Sequence, residues 1–179
     1  MGATDTLRED HRQIRRLQAV ISRCHAALSA GRDIPLDDMD RIPRIIGGFV
    51  DSVHYSREED SYFPCVAGYG GLNEDIRRLL IEHEFSRRIA AKIEGHLAAW
   101  RAGRDSREPV ARYMRTYCIY LEDHMGKEEA FFDRAEAESL SPEEERQMYE
   151  QFRTSVADSR MDEMVREVEY LEGREWCKT

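Results

Sequence analysis

The sequence has no long apolar run, and its 179 residues include only five prolines and four cysteines. A helix that crosses a bilayer needs about 20 consecutive apolar residues, so we expect no membrane span and no membrane partner. Few prolines leave room for long, uninterrupted helices. The cysteines form no C-x-x-C pair, and we expect isolated thiols in a reducing compartment.

Basic residues are also in short supply, with 27 Lys and Arg against 36 Asp and Glu, for a net charge of −9. Because no basic stripe is left over to neutralise phosphates, the composition argues against a nucleic-acid partner. The first residues, MGATDTLREDHRQ, are polar and unlike a secretory signal. We therefore expect a cytoplasmic protein. Its many Arg, Glu, Ala, Leu and Ile residues are typical of an all-α fold.

Apolar residues recur at helical spacing over four long stretches of the chain. Thr6 and Glu9 resemble a capping box at the start of the first stretch, and Pro64 is expected to end the second. The predicted helices are residues 6–30, residues 36–63, residues 73–102 and a helix that starts at residues 106–109. Long helices joined by short loops predict an up-down-up-down four-helix bundle.

Two domains are predicted on this basis. Residues 1–137 would form the bundle, and residues 138–179 would form an additional C-terminal helical segment. A helix start at Ser141-Pro142 and the apolar spacing after it indicate that this segment packs on the bundle or on a partner subunit. A homodimer through the C-terminal segment is the corresponding expectation.

The pattern His-x-x-x-Glu occurs twice, as His54 with Glu58 and as His124 with Glu128. Residues four apart on an α-helix lie on one face, so each pair directs an imidazole and a carboxylate into the same small volume. This combination suits iron, manganese or zinc, and its oxygen content favours iron or manganese.

His11 on helix one and His83 on helix three lie at matching depths, since neighbouring helices of such a bundle are antiparallel. At 1.5 Å rise per residue, the six residues occupy one layer roughly 10 Å thick. Burying them without a bound cation would be costly, so we predict a metal site made by His11, His54, Glu58, His83, His124 and Glu128. The alternative is a polar band on the surface. His25 and His96 lie about 20 Å away, and we expect them to be partly exposed helix residues.

The sequence around these residues resembles the hemerythrin-like, or HHE cation-binding, domain family. The matching segments are LREDHRQIRRL, HYSREEDSYFP, IEHEFSRR and LEDHMGKEEAFF, and the resemblance extends over about residues 6–135. It implies a non-haem di-iron centre with two oxo- or hydroxo-bridged iron ions. The four histidines would be divided between the irons, and Glu58 and Glu128 would bridge them.

The sequence departs from the oxygen-carrying hemerythrins at two places. Arg87 occupies the position of a second histidine on helix three, and Glu128 follows its histidine by four residues where those proteins have an aspartate at five. Glu129, at five, is a potential substitute. The resemblance then implies a more open metal site, similar to iron-sulfur cluster repair proteins and to domains that sense iron or oxygen, with dioxygen, nitric oxide or peroxide as small ligands.

Tyr62, Arg87, Tyr117 and Glu129 are predicted to lie around the ligands and to tune them. Core packing is the alternative for both tyrosines, and solvent exposure or a carboxylate partner are the alternatives for Arg87. A tyrosine hydroxyl near a metal could donate a hydrogen bond or take part in redox chemistry.

The leading functional hypothesis is a non-enzymatic di-iron protein that binds dioxygen, nitric oxide or iron in sensing, storage or a stress response. Its main rival is a di-iron enzyme or iron donor, acting in peroxide or nitric oxide detoxification or in iron-sulfur cluster repair. A ferritin-like oxidase would need Glu-x-x-His, but Leu80 and Leu121 lie three residues before His83 and His124. A metal-free helical interaction module would leave the six ligand-type residues unexplained.

Overall fold

The computed structural model describes residues 2–153 and 155–178, and the side chains of these except at residues 155–158. Helices joined by turns and loops make up the described residues, which contain no strand, and this confirms the predicted all-α class. In the same ranges, no helix combines the length and the apolar character that a membrane span requires. The helices are α1 (Ala3–Ser29), α2 (Leu36–Ile45), π1 (Ile46–Tyr55), π2 (Glu58–Tyr62), α3 (Phe63–Ala67), α4 (Asn73–Arg101), α5 (Arg107–Glu138), α6 (Pro142–Phe152), α7 (Ser155–Glu172) and α8 (Glu175–Lys178).

The long helices contact their neighbours in opposite chain directions. Helix α1 packs along α5, with Arg8 2.7 Å from Asp133 at one end and His25 Nδ1 3.0 Å from the carbonyl of Ala111 at the other. Helix α5 also packs on α4, and α4 packs on α2 and π1. Residues near the start of α1 therefore lie beside residues near the end of α5.

The second predicted helix differs most from expectation, because much of it winds as a π-helix. Two serine hydroxyls bond to carbonyls five residues back, Ser52 to Gly47 at 2.7 Å and Ser56 to Asp51 at 3.5 Å. A π-helix is rare and is often found at functional sites. Its turn contains more than four residues, so residues four apart remain neighbours on one face.

Two predicted helix ends were wrong. Helix α1 begins at Ala3, and Gly2 N–H donates to Asp5 Oδ2 at 2.9 Å, so Thr6 lies inside the helix and bonds back to the Gly2 carbonyl. Pro64 does not end the second helix, which continues through α3. The predicted start at Ser141 is confirmed by its capping box with Glu144.

The buried apolar side chains form two clusters along the long helices. The larger includes Leu17, Phe49 and Met114, and the smaller, towards the other end, includes Leu7 and Phe132. On α1, His11 lies between the smaller cluster at Leu7 and the larger one from Ile14 onward. The polar layer is therefore closed off by apolar packing along the helix axes in both directions.

The C-terminal helices pack on the same chain. Helix α6 contacts α1, and α7 contacts α1, α2 and π1. Asp38, 2% exposed, accepts bonds from Trp176 Nε1 at 2.9 Å, Arg174 Nε at 2.9 Å and the Tyr170 hydroxyl at 3.2 Å. One carboxylate thus connects the start of α2 to the end of the chain.

We expect Asp38→Ala to lower the free energy of unfolding by about 3 kcal/mol, because three donors would lose their common acceptor. Urea unfolding followed by circular dichroism measures this. The matched control is Asp37→Ala, whose side chain is 84% exposed in the same turn. Equal losses in the two variants would contradict the role given to Asp38.

Candidate metal centre

The structure brings together all six residues that the sequence predicted as ligands. The side chains are no more than 1% exposed and come from four different stretches of helix. They form two groups that share Glu128, and within each group the potential ligand atoms lie within 4.8 Å of one another. The groups are His11, His54, Glu58 and Glu128, and His83, His124 and Glu128.

Glu128 is the common neighbour of the imidazoles. Its carboxylate oxygens lie 2.7 Å from Nε2 of His124, 3.0 Å from Nε2 of His11 and 3.3 Å from Nε2 of His83. Nε2 of His54 is more distant, at 3.8 Å. All four imidazoles therefore direct the same nitrogen towards the middle of the layer.

Glu58 lies beside Glu128 and completes the middle of the layer. Its Oε2 is 3.3 Å from His83 Nε2 and 3.7 Å from His54 Nε2, so the carboxylate reaches an imidazole of each group. The His54–Glu58 distance also shows that the pair still meets although π1 and π2 replace the expected α-helix.

Several buried atoms in this layer lack a hydrogen-bond partner in the described chain. They are both ring nitrogens of His54, both carboxylate oxygens of Glu58, and Nε2 of His124, whose short approach to Glu128 lacks hydrogen-bonding direction. Leaving such atoms unsatisfied in an apolar core costs several kcal/mol. A cation would satisfy imidazole nitrogen and carboxylate oxygen together, so the donor set fits a metal centre.

The outer nitrogen of each imidazole faces a second carboxylate from a neighbouring helix. Nδ1 donates where the geometry is that of a hydrogen bond, because an ionised carboxylate can only accept. The Nδ1–oxygen distances are 2.8 Å for His11 with Glu129, 3.5 Å for His54 with Asp10, 2.6 Å for His83 with Glu59 and 2.8 Å for His124 with Glu82. We call Asp10, Glu59, Glu82 and Glu129 the outer carboxylates. Such bonds fix the ring orientation and make the other nitrogen a better ligand.

Each outer carboxylate is paired in turn with a cation. The nitrogen–oxygen distances are 2.7 Å for Arg57 with Asp10, 2.9 Å for Arg87 with Glu59, 2.6 Å for Lys127 with Glu82 and 3.3 Å for Arg8 with Glu129. Charge therefore alternates from the centre outward. Although burial opposes it, bonds from the histidines and these cations lower the pKa values of Glu59, Glu82 and Glu129.

Of these residues, sequence reasoning identified Glu129 and Arg87 and missed the rest. A signal was present, since each outer carboxylate is adjacent in the chain to one of the six residues. Asp10 precedes His11, Glu59 follows Glu58, Glu82 precedes His83 and Glu129 follows Glu128. Each acid nevertheless serves a histidine on a different helix, which a linear reading does not reveal.

Tyr62 and Tyr117, which the sequence suggested as residues that tune the ligands, form hydrogen bonds to other residues. The Tyr62 hydroxyl lies 2.6 Å from Thr4 Oγ1, and the Tyr117 hydroxyl lies 3.2 Å from Ser86 Oγ, so both are engaged away from the six residues. Tyr55, which the sequence did not single out, stacks on His83 with ring centroids 3.7 Å apart.

Tyr120 was also missed, and it stacks on His124 at 5.0 Å. Its hydroxyl is 3.1 Å from that of Tyr55. The group that contains His83 and His124 is therefore flanked by a hydrogen-bonded pair of tyrosines. The two remaining histidines, His25 and His96, lie outside both groups and are half-buried, as expected.

Carboxylates determine the charge of the imidazoles in the metal-free layer. Burial alone would lower the pKa of His83, but bonds to Glu128, Glu58 and Glu59 raise it to about 11. Burial also acts to lower the pKa of His54, and Glu58, Asp10 and Glu128 raise it to about 10. Without metal these two imidazoles are therefore protonated at neutral pH.

A family model described as the hemerythrin HHE cation binding domain matches residues 2–135, which include all six residues. The search of curated proteins and the search of solved structures returned no significant match.

We expect Glu59→Gln to weaken the binding of a divalent metal ion by roughly 10- to 100-fold, because His83 would lose a charged acceptor at Nδ1. Anaerobic competition with a chelator measures the affinity. Asp60→Asn, at the exposed neighbouring position, is the matched control. Unchanged affinity in Glu59→Gln would show that the outer carboxylate has no influence on binding.

Metal binding at neutral pH should release protons, because Nε2 of His54 and His83 must lose a proton to become a ligand. The apparent affinity for a divalent metal ion should accordingly rise with pH, by up to about tenfold per unit for each proton displaced. Titrations in buffers between about pH 6.5 and pH 8.5 test this. A pH-indicator dye in weak buffer detects the released protons as a second readout. A flat affinity without proton release would contradict it.

Proposed function

The chain belongs to the hemerythrin HHE cation-binding domain family, and from this premise we propose that it is a non-haem di-iron protein that binds dioxygen, nitric oxide or iron in sensing, storage or a stress response. The observation that carries the proposal is the pair of buried histidine–glutamate groups sharing Glu128. Two groups with one shared carboxylate favour two metal ions over one. The mixture of imidazole and carboxylate ligands favours iron or manganese.

His11 and His54 would bind one iron and His83 and His124 the other, with Glu128 and Glu58 between them. We further infer that the long helices form the predicted up-down-up-down four-helix bundle, which is supported by the opposite directions of their contacts. Bound iron would supply redox-active positions for dioxygen or nitric oxide. A cytoplasmic location remains our expectation.

The protein's own residues have three tasks in this proposal. Through Nδ1, the outer carboxylates orient the imidazoles and direct Nε2 inward. Glu58 and Glu128 provide the negative charge that balances bound cations. Phe132, stacked on His11 at 5.6 Å, and Phe63, stacked on His83 at 5.9 Å, exclude water from the layer.

A di-iron enzyme that consumes peroxide or nitric oxide is a second candidate, and the tyrosine pair favours it. Tyr55 and Tyr120 stack on the two histidines of one group and share a hydrogen bond. Tyrosines so close to a redox-active metal can supply an electron and a proton, which a binding protein would not require. Turnover of hydrogen peroxide that falls in Tyr55→Phe would favour this candidate.

We expect the protein from iron-supplied cells to contain about two irons per chain, and Glu128→Ala to lose most of both, because both groups need this carboxylate. Elemental analysis measures the metal, and thermal unfolding should show a lower melting temperature. Glu122→Ala, exposed on the same helix, is the control.

Glu58→Ala should also lose metal and stability. Full metal content and unchanged melting in both Glu58→Ala and Glu128→Ala would contradict the bridging assignment. Fewer than about 0.2 equivalents of any metal in the unaltered protein, even after reconstitution, would contradict the proposed function itself.

A further inference from the structure

A small cavity between α2, π1 and α7 lies outside the metal centre, and none of the six ligand-type residues lines it. Its volume is about 140 Å³, which is close to the roughly 150 Å³ of a protein cavity that binds benzene. Three buried apolar side chains form part of the wall, those of Ile45, Phe49 and Met164. Exposed residues such as Arg44 and Gly48 also line it, so a ligand can enter from solvent. We call this space the α7 cavity.

The charged side chains of the α7 cavity carry one more positive charge than negative charges. They are those of Arg41, Arg44, Arg160, Glu163 and Glu167. This local excess of positive charge contrasts with the net charge of −9 for the whole chain. A ligand with a single negative charge would therefore balance the cavity, whereas a multiply charged phosphate would be repelled by the two carboxylates.

Two of these arginines are free to bind an anion. Arg44 donates from Nε to the carbonyl of Asp40 at 3.1 Å, and within the described ranges no carboxylate pairs with it or with Arg160. The two residues come from different helices, α2 and α7, so the fold brings two like charges to the same small cavity. A bound anion would offset the repulsion between them.

Arg41 is held in place and still has a free edge. Its Nη1 lies 2.5 Å from Glu167, and its guanidinium lies over the ring of Tyr170, 4.2 Å from the centroid. Nε is buried and has no hydrogen-bond partner in the part of the chain that the structure describes. The edge formed by Nε and Nη2 matches the two oxygens of a carboxylate. A carboxylate ligand would therefore satisfy a buried donor that the protein itself leaves unpaired.

We propose that the α7 cavity binds a small monocarboxylate with a short apolar body. The carboxylate binds to Arg41, while Arg44 and Arg160 supply further positive charge, and the hydrocarbon body packs on the apolar part of the wall. Since benzene fits a cavity of similar volume, the body has at most about six carbons. The π-helix π1, a winding often found at functional sites, contributes Gly48 and Phe49 to this cavity. The site does not rest on the proposed metal chemistry.

Equilibrium dialysis of the full chain against radiolabelled butyrate tests the proposal. We expect about one equivalent to bind with a Kd below about 1 mM. Acetate lacks two methylene groups and should compete at least about tenfold more weakly, because less apolar surface is buried. Inorganic phosphate should also compete more weakly than butyrate, and butylamine, which is a cation, should not compete.

Gly48→Leu should weaken butyrate binding at least about tenfold, because the new side chain occupies the cavity. A Cβ atom at Gly48 meets no other part of the chain within 4 Å, so we expect the variant to fold. Gly47→Leu is the matched control, since Gly47 has the same free space in the same π-helix and does not line the cavity. The control should bind butyrate as the unaltered protein does.

Two arginine variants test the assigned contacts. Arg160→Gln should weaken butyrate binding about fivefold because it removes an unpaired positive charge, and Arg166→Gln, at an exposed position of α7 outside the cavity, is its control. Arg41→Lys keeps the charge but removes Nε, and it should weaken binding at least about tenfold. Circular dichroism and metal content of every variant check the fold and the metal centre.

Absence of saturable butyrate uptake up to about 10 mM would overturn the proposal. Uptake that Gly48→Leu leaves unchanged would overturn it as well, because the butyrate would then be bound elsewhere, for example at the metal centre. Phosphate that binds more tightly than butyrate would overturn the assignment to a monocarboxylate. Because metal content is measured separately, failure of this site is distinguishable from failure of the proposed function.

Discussion

The arrangement of the helices depends on one buried carboxylate facing several imidazoles. Burial alone would raise the pKa of Glu128, yet His124, His11 and His54 hold it well below its usual range, so the group is charged at the centre of the protein. An isolated buried charge is very costly. Every helix that reaches this layer contributes a group that offsets the cost, and the apolar clusters on either side keep water out of it.

Charge is balanced in successive layers around that carboxylate. The imidazoles lie next to Glu58 and Glu128, the outer carboxylates lie next to the imidazoles, and a further shell of cations lies next to the outer carboxylates. Arg57 illustrates the connection to the rest of the fold, since it is 9% exposed and lies 2.7 Å from Asp10 and 3.5 Å from the carbonyl of Phe152. The end of α6 thereby covers an ion pair that faces His54.

The six ligand-type residues could be predicted because helical spacing and antiparallel packing fix which residues share a face and a depth. His54 and Glu58 met as expected even though their segment is a π-helix, since residues four apart are neighbours in both windings. The π-helix itself could not be predicted, because no composition signal separates it from an α-helix. Three of the four outer carboxylates were missed for another reason. Asp10, Glu59 and Glu82 reach histidines on adjacent helices, and contacts between helices depend on side-chain direction, not on spacing along one helix. Tyr62 lies one turn after Glu58 on the same helical stretch, but its hydroxyl bonds to Thr4 and not to a residue of the metal site.

The outer carboxylates also have a consequence for how the fold can assemble. Helix α1 provides the acid for His54, the second helical stretch provides that for His83, α4 that for His124, and α5 that for His11. Each helical stretch thus supplies an acid to one neighbour and receives an acid from another, in a closed ring of four. No pair of these helices forms a complete half of the layer. A folding intermediate containing two or three of the helices would leave at least one histidine without its acid and one acid without its histidine. The last helix to dock therefore completes two pairs at once, which makes the layer a source of cooperativity between the first and last long helices of the domain.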